Sequence, residues 1–246
     1  MTELLRGVVL KAAPFNESDI ILTILTAEKG RIRCIVRRAR RSKKSKLYAE
    51  PFSLSSFSLF RNRGMYICDD ADLEQDFYGI RSDIKNMAIG QYFLETATLL
   101  PEDSEGAEPF MKLLLNCLAL LSFDEYRKKV QPEVVKLVYE VEYLRLSGLC
   151  PDFSVCGDCG GEPCVWSFER GLLCGECAKV CHGIRYPLSP ASVSALRYIS
   201  SREGLSKFAF EMNPEALLRL GDITEKYMVY ALDARFRSLD FYRTNI

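Results

Sequence analysis

The chain has 246 residues, in which 33 Lys+Arg balance 33 Asp+Glu, and 48% of residues are hydrophobic and 27% charged. That balance excludes a disordered polyion and supplies apolar material for one or two packed domains. Uncharged stretches such as Leu113 to Phe123 are far shorter than the ~20 apolar residues of a membrane span. The first residues, with Glu3 and Arg6 among apolar neighbours, carry no secretory pattern, so a cytoplasmic protein without membrane contact is expected.

In chain order the first elements read as strands. Leu4 to Ala13 and Ile20 to Thr26 are rich in Val, Ile, Leu and Thr and flank the turn-forming Pro14-Phe15-Asn16-Glu17-Ser18-Asp19. Lys29-Gly30 turns into Arg31 to Arg37, where Ile32, Cys34 and Val36 define an apolar face and Arg31, Arg33 and Arg37 dominate the other. Phe52 to Phe60 and Met65 to Leu73, joined through Asn62-Arg63-Gly64, complete five short strands. Five strands joined mainly by tight turns predict a small closed barrel, with a five-stranded OB-fold as the leading topology and another strand-only barrel as the alternative.

From about Ser82 the period becomes helical. A buried helix runs to Pro101, a polar connection spans Glu102 to Ala107, and a second buried helix covers Phe110 to Phe123 behind Pro109. Pro132 opens a third helix that Gly148 stops, and Pro190 to Ser201 and Pro214 to Arg235 are two more, with Leu205 to Met212 between them extended or loop. The predicted class is therefore α+β, with a barrel domain over 1–80 and an α-helical domain over 81–246. An inserted cysteine module lies at about 150–183.

Seven of the ten cysteines fall between Cys150 and Cys181. Cys34, Cys68 and Cys117, scattered through apolar contexts, read as small core residues. Cys156-x2-Cys159 and Cys174-x2-Cys177 are separated by fourteen residues, a spacing that brings two thiolate pairs to one tetrahedral ion. One structural Zn2+ held by Cys156, Cys159, Cys174 and Cys177 is predicted; iron on the same thiolates and a redox pair are the alternatives. Cys164, Cys181 and His182 stand close enough in sequence to replace a ligand. His182 is the only histidine, and no H-x-E precedes the cluster, so the deaminase pattern is absent. Four sulfur ligands leave no open position for water, and the metal is expected to brace the fold.

The balanced total hides an uneven distribution. Residues 1–80 carry 14 Lys+Arg against 10 Asp+Glu, and residues 81–246 carry 19 against 23. Arg31, Arg33, Arg37, Arg38, Arg40, Arg41, Lys43, Lys44 and Lys46 crowd into sixteen residues, with no acid between Glu28 and Glu50. In a barrel class that tracks polynucleotide backbones, these nine residues are the predicted phosphate contacts, against the plainer reading of a solvated, mobile charge run. Phe15, Tyr48, Phe52, Phe57 and Phe60 surround the run and are either base-stacking or core residues. The acids Asp69, Asp70, Asp72, Glu74 and Asp76 read as a charged strand end rather than a magnesium site. With no nucleophile–base pairing and no phosphate-cradling glycine loop, no catalytic residue is assigned.

Several short motifs occur in a shared order: Leu4-Leu5-Arg6-Gly7-Val8-Val9-Leu10-Lys11, Asn16-Glu17-Ser18-Asp19 before Ile20-Ile21-Leu22-Thr23, and Thr26 with Lys29-Gly30. The basic run, Pro51-Phe52, and Leu146-Ser147-Gly148-Leu149-Cys150-Pro151-Asp152 before Cys156 follow. Together they resemble the RecO family of bacterial recombination-mediator and DNA-repair proteins over nearly the whole chain. The resemblance implies an N-terminal OB-fold and a helical C-terminal domain carrying the four-cysteine zinc module. It also implies binding of single- and double-stranded DNA and annealing of complementary strands. Partnership with RecR and single-strand-binding protein, help in loading RecA onto coated strands, and a nucleoid-associated place in the bacterial cytoplasm follow from it as well. Arg37-Arg38-Ala39-Arg40-Arg41 departs from the family, which often has a glycine here. A zinc-ribbon RNA-binding or transcription-associated protein is the alternative reading, and a nuclease a third.

Overall fold

Five antiparallel and parallel pairings close the N-terminal strands into a barrel of order β1-β2-β3-β5-β4. The strands are β1 (Thr2–Pro14), β2 (Ile20–Thr26), β3 (Gly30–Val36), β4 (Ser53–Asn62) and β5 (Met65–Asp76). The computed structural model describes residues 2–42 and 44–245, without the side chains of Lys46 and Asn245. β1 is long enough to pair with β4 through its first half and with β2 through its second, and a bulge between Val9 and Lys11 bends it. Gly7 sits at the changeover, where a Cβ would meet the Leu25 carbonyl oxygen at 3.1 Å. β3 and β5 close the barrel in parallel over Cys34–Val36 and Tyr66–Cys68, the OB topology expected from the strand count.

The alternation read in the sequence decides what is inside. Leu5, Val9, Leu22, Ile24, Ile32, Cys34, Phe57 and Leu59 fill the barrel, each almost wholly removed from water. Arg63 and Gly64 both take positive φ between β4 and β5, the backbone of a two-residue hairpin turn.

The described residues of the basic stretch include two regular turns. After β3 a 3-10 turn covers Ala39–Arg41, and the short helix α1 spans Ser45–Tyr48. Ala39 and Tyr48 anchor both by burying their side chains in the barrel core, where Tyr48 meets Phe57 edge-on at 6.2 Å.

Two compact units are distinguished: Met1–Arg127 with Phe236–Ile246, and Lys128–Arg235. The first therefore holds, besides the barrel, the helices α2 (Ile84–Ala97), α3 (Glu108–Ser122) and α4 (Asp124–Arg127), whereas the sequence reading placed its domain border at 80/81. Asp83 caps α2 by accepting from the Asn86 N–H, and Pro109 lies in the first turn of α3.

The second unit is built around α5 (Pro132–Leu146), buried on every side from Val134 to Leu144. Three charged side chains lie in that buried stretch. The Lys136 ammonium contacts Glu140 and Glu225, each at 2.7 Å, and Thr224 Oγ1 donates to Glu140 at 2.6 Å. Glu142 is held by Lys207 at 2.8 Å and Arg145 at 2.9 Å. Burial pulls the Lys136 ammonium down, but the carboxylates of Glu140 and Glu225 outweigh it; burial pushes the Glu140 carboxyl up.

The cysteine module contains β6 (Val165–Ser167), β7 (Gly171–Leu173), the short α6 (Gly175–Lys179) and β8 (Arg185–Pro187), with the strands in the order β7-β6-β8. α7 (Pro190–Ser201) and α8 (Pro214–Leu232) follow, with a 3-10 turn at Gly204–Phe208 where the sequence suggested an extended segment or loop. α8 stops three residues before the predicted Arg235 because Asp233 turns left-handed, with φ 46. That break frees α9 (Arg237–Asn245), which the sequence reading missed. α9 belongs to the first unit, where Ser238 donates from its backbone N–H and its hydroxyl to Glu95 on α2. No helix among the described residues is long and apolar enough to cross a membrane.

Candidate nucleic-acid interface and metal centre

The nine cations predicted as phosphate contacts divide into distinct groups. Arg37, Arg38, Arg40 and Arg41 are exposed and, among the described residues, make no ion pair. Their backbone is nevertheless fixed. Asp19 accepts a hydrogen bond from the Arg38 N–H at 2.8 Å, and the Arg40 N–H donates to the Ser18 carbonyl at 3.1 Å. Arg40 also donates from its guanidinium to the carbonyls of Asn16 and Glu17. The backbone hydrogen bond from Arg38, with a further one from Asn16, holds the Asp19 carboxyl below the usual range. The β1–β2 turn and the basic stretch thus form one tethered surface.

Arg38 adopts φ 53, a left-handed backbone that disfavours a side chain, at the place where the family often has glycine.

Other predicted contacts are already engaged. Arg31 and Arg33 both pair with Glu102, at 2.9 and 3.0 Å. Lys44 pairs with Asp70 at 2.6 Å and Asp72 at 3.2 Å, and hydrogen bonding to Lys44 lowers the Asp70 carboxyl. The acidic strand end is therefore a partner of the basic segment. Lys43 lies outside the described residues, as does the side chain of Lys46.

Of the five aromatic residues near the run, Tyr48, Phe52 and Phe57 are core and Phe60 is half-buried, leaving Phe15 exposed on the β1–β2 turn. Sequence reasoning missed Arg61. Its guanidinium lies 4.5 Å from the Tyr66 ring centroid and contacts Asp103 at 2.8 Å. Nothing in its local sequence marks it, because its acidic partner Asp103 lies 42 positions away.

In the second unit the four predicted cysteines converge, with their sulfur atoms all within 4.8 Å of one another. Cys159 and Cys174 are 3.6 Å apart. A tetrahedral zinc ion about 2.3 Å from each ligand would set sulfurs about 3.8 Å apart, so the cluster has the size and donor set of a four-thiolate site. The first knuckle is closed by the Gly160 N–H donating to the Cys156 carbonyl at 2.9 Å, with Gly160 at φ 74. The second sits at the start of α6, where Cys174 Sγ accepts from the Cys177 N–H at 3.5 Å.

Burial pushes the Cys156 thiol up, but backbone hydrogen bonds from Cys174, Cys159 and Asp158 outweigh it and bring it down to about 6. The Cys177 backbone likewise lowers Cys174, whereas hydrogen bonding with the thiols of Cys159 and Cys174 raises Cys177. Four thiols this close hinder one another's ionisation, and a cation among them removes that obstacle.

The competing ligands stay outside. Cys164 is exposed, His182 is exposed, and Cys181 is buried with its thiol donating to the His182 carbonyl at 3.2 Å. Among the described residues the metal-competent cluster contains Cys156, Cys159, Cys174 and Cys177 alone.

A closed five-stranded OB barrel with helices and a four-thiolate cluster after it defines a class of multi-part proteins built on an OB barrel, and the comparisons narrow that class. The family model for the recombination protein O N terminal region matches residues 1–77, and that for its C terminal region matches residues 81–240. The chain belongs to the RecO family of DNA repair proteins. It is 30% identical over 244 residues to the DNA repair protein RecO of Acetivibrio thermocellus, covering 97% of this chain and 95% of that one. It is 28% identical over 243 residues to RecO of Alkaliphilus metalliredigens, covering 95% and 96% of the two chains. With RecO of Anaeromyxobacter dehalogenans it shares 33% identity over 202 residues, 78% of this chain and 76% of the relative.

Proposed function

We propose that the chain acts in recombinational repair as a non-catalytic mediator that binds single- and double-stranded DNA and anneals complementary strands. The observation that carries this reading is the tethered arginine surface of Arg37, Arg38, Arg40 and Arg41, exposed and with no guanidinium salt bridge among the described residues, in a member of a DNA repair family. Two complementary strands repel through their phosphates. A surface that neutralises phosphates releases counterions, raises the local strand concentration and leaves base edges free to pair. No covalent bond needs to form or break. Backbone contacts carry no sequence information, so binding is expected on any sequence.

Residues 1–80 would supply DNA contact and residues 81–246 the remaining partner surfaces. RecR and single-strand-binding protein are the proposed partners, with RecA served through loading onto coated strands, in the bacterial cytoplasm and at the nucleoid. Cys156, Cys159, Cys174 and Cys177 would hold one Zn2+, which when bound cross-links the two knuckles and stabilises the module around them. The test is annealing of complementary oligonucleotides, bare and coated with single-strand-binding protein. The chain should accelerate annealing of bare strands, and with RecR support RecA assembly on coated ones. Failure to accelerate annealing by folded protein at low ionic strength would overturn the reading.

A further inference from the structure

β5 pairs with β3 only over Cys34–Val36, so the first half of β3 has no strand on that side. The connection after α2 covers part of this edge. Glu102 forms a parallel bridge with Arg31, the Asp103 N–H donates to the Arg31 carbonyl at 3.1 Å, and the Ser104 N–H donates to the Lys29 carbonyl at 3.1 Å. Gly30, at φ +61, makes the approach possible: a Cβ there would come within 2.5 Å of Ser104 Oγ. The backbone contacts place two carboxylates directly on three arginines. Glu102 contacts Arg31 and Arg33, and Asp103 contacts Arg61.

Arg31, Arg33, Glu102 and Asp103 themselves line a cleft of about 270 Å³, whose apolar walls include Phe15, Ile21, Ile35, Met65 and Tyr66. Phe15 and Met65 are 51% and 45% exposed, unusual for large apolar side chains framing a cleft with cations on its margin. Apolar faces for a base, with guanidinium groups alongside, are the chemistry of a single-strand subsite. Carboxylate and phosphate offer a guanidinium the same two-oxygen fork.

We propose that this cleft is a nucleotide subsite for single-stranded DNA, and that Glu102 and Asp103 hold the phosphate positions on Arg31, Arg33 and Arg61 until a strand displaces them. The proposal rests on the reading that the barrel binds DNA. The Arg33–Glu102 and Arg61–Asp103 pairs are about half exposed, so exchanging carboxylate for phosphate there requires no unfolding, whereas Arg31 is more buried and keeps its Nε–H on the Leu100 carbonyl at 2.8 Å, leaving its terminal nitrogens to make the exchange. The displaced carboxylates return to water and gather counterions, which offsets part of the counterion release from the strand and weakens both affinity and its salt dependence.

The test compares wild type with E102Q/D103N by fluorescence anisotropy on labelled oligothymidylate across a salt series. The variant is expected to bind about tenfold tighter, with a slope steeper by about 1.4, the single-strand value for two charges. Adding R33Q should return affinity towards wild type, and F15A should reduce single-strand binding more than duplex binding. In wild type, independently of any variant's folding, the Arg33 Nε–H resonance, whose nitrogen contacts Glu102 at 3.0 Å, should shift when oligonucleotide is added. Wild type that binds while E102Q/D103N shows the same affinity and slope, or an unshifted Arg33 resonance, overturns the subsite and leaves the DNA reading intact. No binding by wild type or variant at low ionic strength overturns the DNA reading itself.

Discussion

Replacing Arg37, Arg38, Arg40 and Arg41 together by Gln should change the salt dependence of DNA binding far more, cation for cation, than replacing ion-paired cations elsewhere on the barrel. These four are exposed and, among the described residues, none of their guanidinium groups forms a salt bridge, the nearest acid being Asp19, which Arg37 influences and which accepts from the Arg38 backbone, so each can neutralise a phosphate without first breaking an ion pair. At about 0.7 counterions released per phosphate on a single strand, removing four contacts should flatten the slope of log K against log salt by about 2.8. Between roughly 50 and 200 mM salt the wild type should then lose about 50-fold more affinity than the variant. The control is R31Q/R33Q/K44Q, in which every replaced cation is already paired with Glu102, Asp70 or Asp72. Its slope should move by less than half as much. Anisotropy titrations at four or more salt concentrations measure both, with melting curves to show that the variants fold. An unchanged slope in the arginine variant, or equal changes in the two variants, would refute the reasoning.

Cys156→Ser or Cys174→Ser should abolish metal content by elemental analysis and lower the melting temperature of the 128–235 unit, while leaving low-temperature DNA affinity within about twofold. A colourless metal-loaded wild type would agree with zinc, and visible absorbance would point to iron. Lys136→Met should destabilise the second unit by about 3–5 kcal/mol in denaturant titrations, because Glu140 and Glu225 lose their shared cation inside the fold. Replacing Lys136, Glu140 and Glu225 together with apolar residues should recover much of that loss. At Arg38, relief of the left-handed backbone nearly cancels the added freedom of the unfolded chain, so Arg38→Gly should alter stability by less than about 1 kcal/mol; Arg38→Val should cost more than about 1 kcal/mol, both read from chemical unfolding.

The barrel was legible because its strands follow the period of two. The apolar face of Ile32, Cys34 and Val36 is the face that enters the core, and the turn at Asn62-Arg63-Gly64 falls where the residues allow positive φ. The four-cysteine cluster was legible because ligand spacing is a local property. What stayed hidden depends on contacts distant in sequence. Glu102 and Asp103 looked like an ordinary polar connection, yet they neutralise Arg31, Arg33 and Arg61 across 71, 69 and 42 positions. Asp70 and Asp72 looked separate from Lys44 and are its partners. α5 was legible as a helix between Pro132 and Gly148, but not that Lys136, Glu140 and Glu142 are buried in it, because residues from α8, the 3-10 turn and the end of α5 itself satisfy them. α9 was missed because Asp233 breaks the preceding helix with a backbone conformation that its side chain does not announce.

The most direct measurement is photocross-linking of a 5-iodouracil-substituted single strand to the full-length protein, followed by mass-spectrometric mapping of the attachment sites. Cross-links should concentrate on the barrel's outer surface, at Phe15 and on the stretch from Arg37 to Tyr48. Cross-links confined to 128–235, with none on the barrel, would contradict the assignment of DNA contact to the cationic barrel.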